Sequence, residues 1–331
     1  MSLLFQFLVC TALIVVSGSR LSLYADIISR RTRFSAGLMG IIVLAFITSL
    51  PELVTSITSV TAVDTPDLAT GDLVGAVAIN IFWIALLGTF WKKGSLLTEQ
   101  SKSNIFTALF TIAMLLVLAG FLYVHTFADI SLQLFNISLG SLIIGALYIG
   151  GSILVYKYET AIAQSKTYEK LPDGLKIKFV TAMTVIVFAG IWLAYVGKGI
   201  ADSYGLNEMY VGVLLLAFAT TMPEFVVSFA AFRRGSSSMG IGNFLGSNFF
   251  NLFIILCLDA FHRKGGIFSS ISYLNIYSVV LATVLTTVAV ISMSRKKATV
   301  PPSTTYLSWD SLLIMGIFLL GHVLLFRLTS A

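Results

Sequence analysis

Apolar residues along this chain gather into long, nearly unbroken runs, without the 3.6- or two-residue alternation of half-buried surface elements. A hydrocarbon core about 30 Å thick is crossed by about 20 helical residues. Ten runs approach that length: residues 3–23, 35–61, 73–90, 105–125, 130–156, 179–196, 208–232, 239–260, 270–293 and 309–326. Backbone within lipid must satisfy its own hydrogen bonds, and the weak alternation of barrel strands is missing, so each run is predicted as a helix. The expected fold class is all-α: a polytopic membrane protein of about ten transmembrane helices. The first run lacks a basic n-region and leads into more apolar sequence, which predicts a span and not a cleaved signal peptide.

Composition strengthens this picture. Of 331 residues, 57% are hydrophobic and 11% charged, against about 25% charged in soluble domains. The mean hydropathy of +0.94 leaves too little polar surface for a water-soluble enzyme, a disordered chain or a nucleic-acid-binding domain, despite a pI near 9.3. Cys10 and Cys257 lie in apolar runs without metal-ligand spacing and are expected as buried fillers.

The 21 basic residues orient the chain. With an outside N-terminus and alternating spans, sixteen fall on the inside: Arg30, Arg31, Arg33, Lys92, Lys93, Lys102, Lys157, Lys166, Lys170, Lys176, Lys178, Arg233, Arg234, Arg295, Lys296 and Lys297. Outside lie Lys198, Arg263, Lys264 and Arg327, while Arg20 is within the first run. The positive-inside rule therefore predicts N-out and C-out, in the plasma (inner) membrane, with Arg263–Lys264 dissenting. The loop charges face anionic lipid and carry no expected substrate role.

The longest polar stretch, residues 157–178, divides the chain into residues 1–156 and 179–331. These halves resemble each other. Leu44-Ala45-Phe46-Ile47-Thr48-Ser49-Leu50-Pro51-Glu52 matches Leu216-Ala217-Phe218-Ala219-Thr220-Thr221-Met222-Pro223-Glu224, and Gly71-x-x-x-Gly75-x-x-x-x-Asn80 matches Gly242-x-x-x-Gly246-x-x-x-x-Asn251. Five spans per half is odd, so the second copy must insert upside down. The result is an inverted-topology repeat, a plan many secondary transporters follow.

Of the acidic residues, only Glu52 and Glu224 are expected deep within apolar segments. A buried carboxylate costs several kcal/mol unless compensated, and no basic residue is expected near mid-span. A bound cation or proton is the simplest countercharge. Each Glu follows a proline, and Pro51 and Pro223 deprive the carbonyls of Ile47 and Ala219 of their helical donors. Hydroxyls precede each proline: Thr48 and Ser49, Thr220 and Thr221. Asn80, Asn251 and Ser247 add neutral oxygens, with interhelical hydrogen bonding as the bland role of the amides. The glycines are expected to let helices approach closely. An all-oxygen donor set argues against copper or zinc and suits hard cations such as calcium or sodium.

At these residues the sequence resembles the calcium/cation antiporter superfamily, specifically the prokaryotic sodium/calcium exchanger type. That family's hallmark is a Gly-Thr-Ser-Leu-Pro-Glu-like segment followed by Gly-Asn-x-x-Gly-Ser-x-x-x-Asn/Asp. The resemblance implies that Glu52 and Glu224 are shared by calcium and sodium. It also implies that the backbone carbonyls of Thr48 and Thr220 complete a calcium site. Flanking sodium sites would use positions Ala45, Ser49, Ala217, Thr221 and Ser247. Asn251 speaks against a potassium-dependent type. The chain departs from the pattern at Ile47, Asp72 and Ala76, where the family usually has Gly, Asn and Ser. Ala76 offers no side-chain oxygen, which bears on one sodium site.

The expected activity is thus sodium/calcium exchange by alternating access, with calcium and sodium as transported ions, no cofactor, and lipid but no nucleic acid or evident protein as partner. A proton-coupled divalent exchanger is the alternative, although the Gly-Asn-x-x-Glu pattern of proton/calcium relatives is absent. An intramembrane enzyme would need a nucleophile–base pair, clustered aspartates or a metal-binding His pair. The three histidines, His125, His262 and His322, are far apart in sequence.

Overall fold

The computed structural model describes residues 2–29, 45–91, 95–98, 100–128, 130, 132–160, 174–295 and 308–330. Several sequence expectations fall outside these: residues 35–44 of the second run, most of the central linker, and Arg30, Arg31, Arg33, Lys92, Lys93, Lys166, Lys170, Lys296 and Lys297.

Helix dominates the described chain. The N-terminal part comprises α1 (Leu3–Ser29), the short α2 (Ala45–Thr48), α3 (Leu50–Thr61), α4 (Pro66–Thr89) and α5 (Lys102–Ala128). A small hairpin follows, β1 (Gln133–Leu134) antiparallel to β2 (Ile137–Ser138), with Gln133 opposite Ser138. Its two turn residues, Phe135 and Asn136, have φ of 53° and 64°, as a type I′ turn requires. Next come α6 (Leu139–Thr160), α7 (Leu175–Tyr204) and α8 (Glu208–Val211), then a π-helical turn over Gly212–Leu216. The chain continues through α9 (Ala217–Thr220), α10 (Met222–Arg233), α11 (Ser237–Phe261), a 3-10 turn at Ile267–Ser270, α12 (Asn275–Met293) and α13 (Trp309–Ser330).

Among the described residues, eight helices are long and apolar enough to cross a membrane: α1, α4, α5, α6, α7, α11, α12 and α13. The limbs on either side of Thr221 make a ninth if taken as one span, bent by 43°. The fifth expected span begins nine residues late, because the hairpin occupies its start. The third begins early, at Pro66, which brings Asp67 and Asp72 into α4.

Burial sorts the helices into layers. The most apolar stretch of α4 is 89% buried and that of α11 72%, against 22% for α1 and α13. Exposed side chains such as Leu8, Val16, Leu320 and Leu324 give the outer helices an apolar surface, as lipid-facing positions require. Cys10 is buried as expected, whereas Cys257 is only half-buried.

Polar loops tie the two ends of the bundle. At one end Lys264 pairs with Asp64 at 2.5 Å, and its ammonium holds the Asp64 carboxyl below the usual carboxylate range. Nearby, Asp67 accepts 2.7 Å bonds from the Ser272 backbone and the Asn275 amide. At the other end, Ser95 donates to Asp310 and Asn104 to the carbonyl of Ser238.

Lipid is as apolar as leucine, so close helix packing rests on dispersion and small residues. The π-helical segment crosses α4 backbone to backbone. A Cβ added at Gly71 would meet the Met209 carbonyl oxygen at 2.5 Å, and one at Gly75 the Val213 Cα at 2.6 Å. Gly212 faces back, with a hypothetical Cβ 2.9 Å from the Asp72 nitrogen. The expected packing role of Gly71 and Gly75 is therefore observed.

This contact makes a prediction. Backbone cannot swing aside as a side chain can, so Gly75→Ala should destabilise by about 1–3 kcal/mol or more. Gly120→Ala, where an added Cβ meets nothing within 4 Å, should stay within about 0.5 kcal/mol. Thermal unfolding of the purified proteins in detergent measures both, and equal melting temperatures would contradict the crossing.

Candidate cation site

Two broken helices and two long ones build the site. Pro51 and Pro223 have no N–H to give, so each helix turns just ahead of them: Ser49 (φ −84°, ψ 12°) and Thr221 (φ −80°, ψ −4°) occupy the bridge region. The breaks lie between α2 and α3 and between α9 and α10, with the glutamates at the third positions of α3 and α10. There each carboxylate sits in the first turn, where the helix dipole favours negative charge. α4 and α11 supply the facing side chains, Asp72 and Asn80, Asn243 and Ser247, Asn248 and Asn251, all but fully buried.

Glu52 and Glu224 are both 0% exposed. Contacts cross between the two copies: Ser49 of the first break reaches Glu224, and Thr220 of the second reaches Asp72. Both oxygens of Glu52 and Oε2 of Glu224 are buried without a hydrogen-bond partner. Ion pairs among the described residues join Lys198 to Asp202 and Glu208, and Lys264 to Asp64. None reaches the site.

The oxygens separate into two groups. Around Glu224, the Ser49 hydroxyl donates to Oε1 at 3.3 Å, and the Thr48 and Ser247 hydroxyls lie 3.2 Å apart. On the Glu52 side, the Thr220 hydroxyl lies 3.1 Å from Asp72 Oδ1, and Ser56, one turn beyond Glu52, donates to Asp72 Oδ2 at 3.3 Å. Oxygens coordinating one hard cation at 2.3–2.6 Å in octahedral array sit about 3.3–3.7 Å apart, so these spacings lie near the edges of such a shell. Among the described residues no three acidic, His or Cys side chains converge tightly enough to hold a metal ion by themselves. Hydroxyls, amides and carbonyls must complete any such shell.

The remaining expected ligands behave differently from one another. Asn80 donates its amide to Asn248 Oδ1 at 2.9 Å, and Asn248 donates to the Val77 carbonyl at 3.2 Å. The Oδ1 of Asn80 and both polar atoms of Asn251 have no partner. Thr221 turns away from the glutamates: it donates to the Ala217 carbonyl at 2.7 Å and accepts from the Trp83 indole at 3.4 Å. Trp83 itself packs on Phe225, with ring centroids 4.6 Å apart. The Ala45 carbonyl accepts from the Ser49 backbone N–H at 3.0 Å, and the Ala217 carbonyl from that of Thr221 at 3.1 Å. Both carbonyls are therefore engaged in this conformation.

One expectation needs correction. Glu52 and Glu224 are not the only deeply placed carboxylates, because Asp72 is also 0% exposed, on the face of α4 that meets α9. Its signal was the Gly71-Asp72 pair standing where the second copy has Gly242-Asn243. Asn248 and Trp83 were missed as well. Ser56 and Ser228, both four residues beyond their glutamates, were legible as a further repeat match. Ser56 bonds Asp72 as Ser228 bonds Asn243, at 3.2 Å.

The sodium/calcium exchanger protein family model matches residues 2–157 and 175–327. The inner membrane protein YrbG of Escherichia coli (strain K12) is 26% identical over 277 residues, 81% of this chain and 82% of that protein. Among solved structures, the sodium-calcium exchanger NCX_Mj aligns over 97% of this chain and 99% of its own, with a TM-score of 0.62 at 18% identity. The H+/Ca2+ exchanger CAX aligns over 100% of this chain and 87% of its own, with a TM-score of 0.69 at 14% identity. At such identities these two likenesses show a shared fold.

The amide geometry makes a prediction that separates structural from functional asparagines. Asn248→Leu strands the buried amide of Asn80 and should cost about 1–3 kcal/mol. Asn251→Leu removes a group that bonds nothing, so stability should hold or rise. Melting temperatures of both variants in one detergent test this, and a reversed order would refute it.

Proposed function

The chain belongs to the sodium/calcium exchanger protein family, and from its site geometry we propose that it is a secondary active antiporter that exchanges calcium for sodium. One observation carries the reading: Glu52 and Glu224 are buried carboxylates from matching broken helices, with free oxygens and no basic partner among the described residues. Desolvated negative charge of this kind needs a cation.

In this reading calcium lies between the two glutamates. The Asn80 Oδ1 and the backbone carbonyls of Thr48 and Thr220 supply neutral oxygens, and Asn251 lines the same centre. Sodium ions bind beside it at Ser49, Thr48 and Ser247 around Glu224. They also bind near Glu52, with Ala45, Ala217 and Thr221 contributing once the local hydrogen bonds of this conformation rearrange. Two glutamates cannot hold a full complement of both ions, so competition for their charge couples the fluxes. Alternating access follows if the broken helices rock against α4 and α11.

We further propose that the two halves, residues 1–156 and 179–331, are inverted five-helix repeats joined by a cytoplasmic linker at 157–178. The protein would then cross the plasma (inner) membrane ten times, N-out and C-out. The clustering of loops at two ends supports alternate crossings. Lys264, part of the dissenting basic pair, finds its countercharge in Asp64. No enzymatic chemistry is assigned: His262 and His322 each bond a backbone carbonyl of their own segment through Nδ1. Proton-driven calcium exchange is the second reading, favoured by the hydroxyl that Ala76 lacks.

The test is calcium flux in proteoliposomes with sodium and pH gradients imposed separately. Sodium should drive calcium counterflow, and flux driven equally by pH alone would replace sodium with protons. Removing one partner of a buried charge assembly costs about 3–5 kcal/mol, roughly two to four decades of affinity. Glu52→Gln and Glu224→Gln should therefore each abolish exchange while the protein still melts cooperatively. Ala76→Ser should alter sodium dependence more than calcium affinity, and unchanged sodium behaviour would discredit the assignment around Glu52.

A further inference from the structure

The two halves of the site differ at two neighbouring matched positions on the long helices. In the second half, α11 offers Asn243 and, one turn on, Ser247. In the first half, α4 offers Asp72 and, one turn on, Ala76. A carboxylate has appeared one turn from the place where a hydroxyl is missing.

Asn243 shows what the position needs for packing alone. Its amide donates to the Ser228 hydroxyl at 3.2 Å and to the Glu224 carbonyl at 3.4 Å, so a neutral amide serves there. Asp72 holds the matching serine, Ser56. It puts a carboxyl group at 0% exposure with no lysine or arginine partner among the described residues. Its second contact reaches across to the other half, Thr220 Oγ1 at 3.1 Å from Oδ1. That hydroxyl lies equally 3.1 Å from the Leu216 carbonyl, and its single proton serves only one acceptor at a time. When the proton goes to Leu216, a Thr220 lone pair faces the Asp72 carboxylate, an arrangement that a cation stabilises. Glu52 stands on α3 one turn before Ser56, the serine that bonds Asp72, and both its buried oxygens have no partner.

We propose that Asp72, the Thr220 and Ser56 hydroxyls and a free oxygen of Glu52 form a sodium subsite, in which Asp72 replaces the ligand that Ala76 cannot provide. The proposal rests on the exchanger reading and gives that reading a fourth-helix residue that sets sodium affinity. Four hard oxygens, two of them charged, suit a small monovalent ion beside a divalent centre.

The experiment is calcium binding to the purified full-length protein in detergent, by isothermal titration with calcium chloride, repeated over a series of sodium chloride concentrations. Asp72→Asn copies the residue of the other half. It should leave calcium affinity without sodium within about threefold, and raise the sodium concentration that halves calcium binding by about tenfold or more, equivalent to about 1.4 kcal/mol. Adding Ala76→Ser to Asp72→Asn should bring that concentration back towards the wild-type value. Thr220→Val, which keeps the carboxylate and removes the hydroxyl, should shift it in the same direction as Asp72→Asn and serves if the latter fails to fold. Unchanged sodium competition in folded Asp72→Asn overturns the subsite and leaves Asp72 a hydrogen-bond acceptor only, and calcium binding lost together with sodium overturns it too. Wild-type protein whose calcium binding ignores sodium overturns the exchanger reading itself, so the two failures are distinguishable.

Discussion

Buried carboxyl groups without a basic partner among the described residues govern this molecule. Glu52, Glu224 and Asp72 are all withdrawn from solvent, in a bundle whose described ion pairs lie elsewhere. In a medium of low dielectric such groups repel strongly and lose their hydration. A fold that holds them together must either neutralise them or surround them with oxygens that share an incoming cation. The hydroxyls of Thr48, Ser49, Thr220, Ser56 and Ser247 lie among these groups at hydrogen-bonded spacings of 3.1–3.3 Å.

Holding the charges at depth constrains the backbone. A continuous helix turns its carbonyls along its own axis and gives them to its own N–H groups. Proline one residue before each glutamate frees one carbonyl and lets the helix bend, by 43° in the second copy. The break places the glutamate in the first turn of a new helix, where unpaired N–H groups favour an anion. Such interrupted segments are tolerated in a membrane only when other protein covers them. Here α4 and α11, the most enclosed of the long helices, do so. Gly71, Gly75 and Gly212 let α4 approach the π-helical turn to backbone contact, and the π turn adjusts the register of the segment leading to Thr220.

Much of this was legible from residue types. Runs of apolar sequence marked the long helices, because lipid selects for little else, and the Pro-Glu repeat marked both breaks. Helix ends were less legible, since α4 begins with Pro66-Asp67 and carries Asp72, residues that a hydropathy scan assigns to a loop. Burial by a neighbouring helix, not hydropathy, keeps them inside. The direction of Thr221 was hidden too: its match to Ser49 suggested a shared role, but Trp83 on α4 supplies an indole donor that draws it away from Glu52. Side-chain partners across the bundle depend on packing that no local pattern encodes. The asparagines illustrate the same limit. Asn80 and Asn251 are matched in the repeat, yet one is half bonded by Asn248 and the other bonds nothing.

These unequal pairs bear on why a duplicated site should not stay symmetric. Two identical halves facing each other would offer incoming cations two equivalent flanking positions, and nothing in the site would distinguish occupancy of one from the other. A change in one half alone makes the positions differ in charge. Asp72 and Ala76 stand on α4 where α11 has Asn243 and Ser247, so only the first copy adds a carboxyl group at this position. In the proposed exchanger, duplication would supply two matched positions, and substitution within one copy would supply the difference between them.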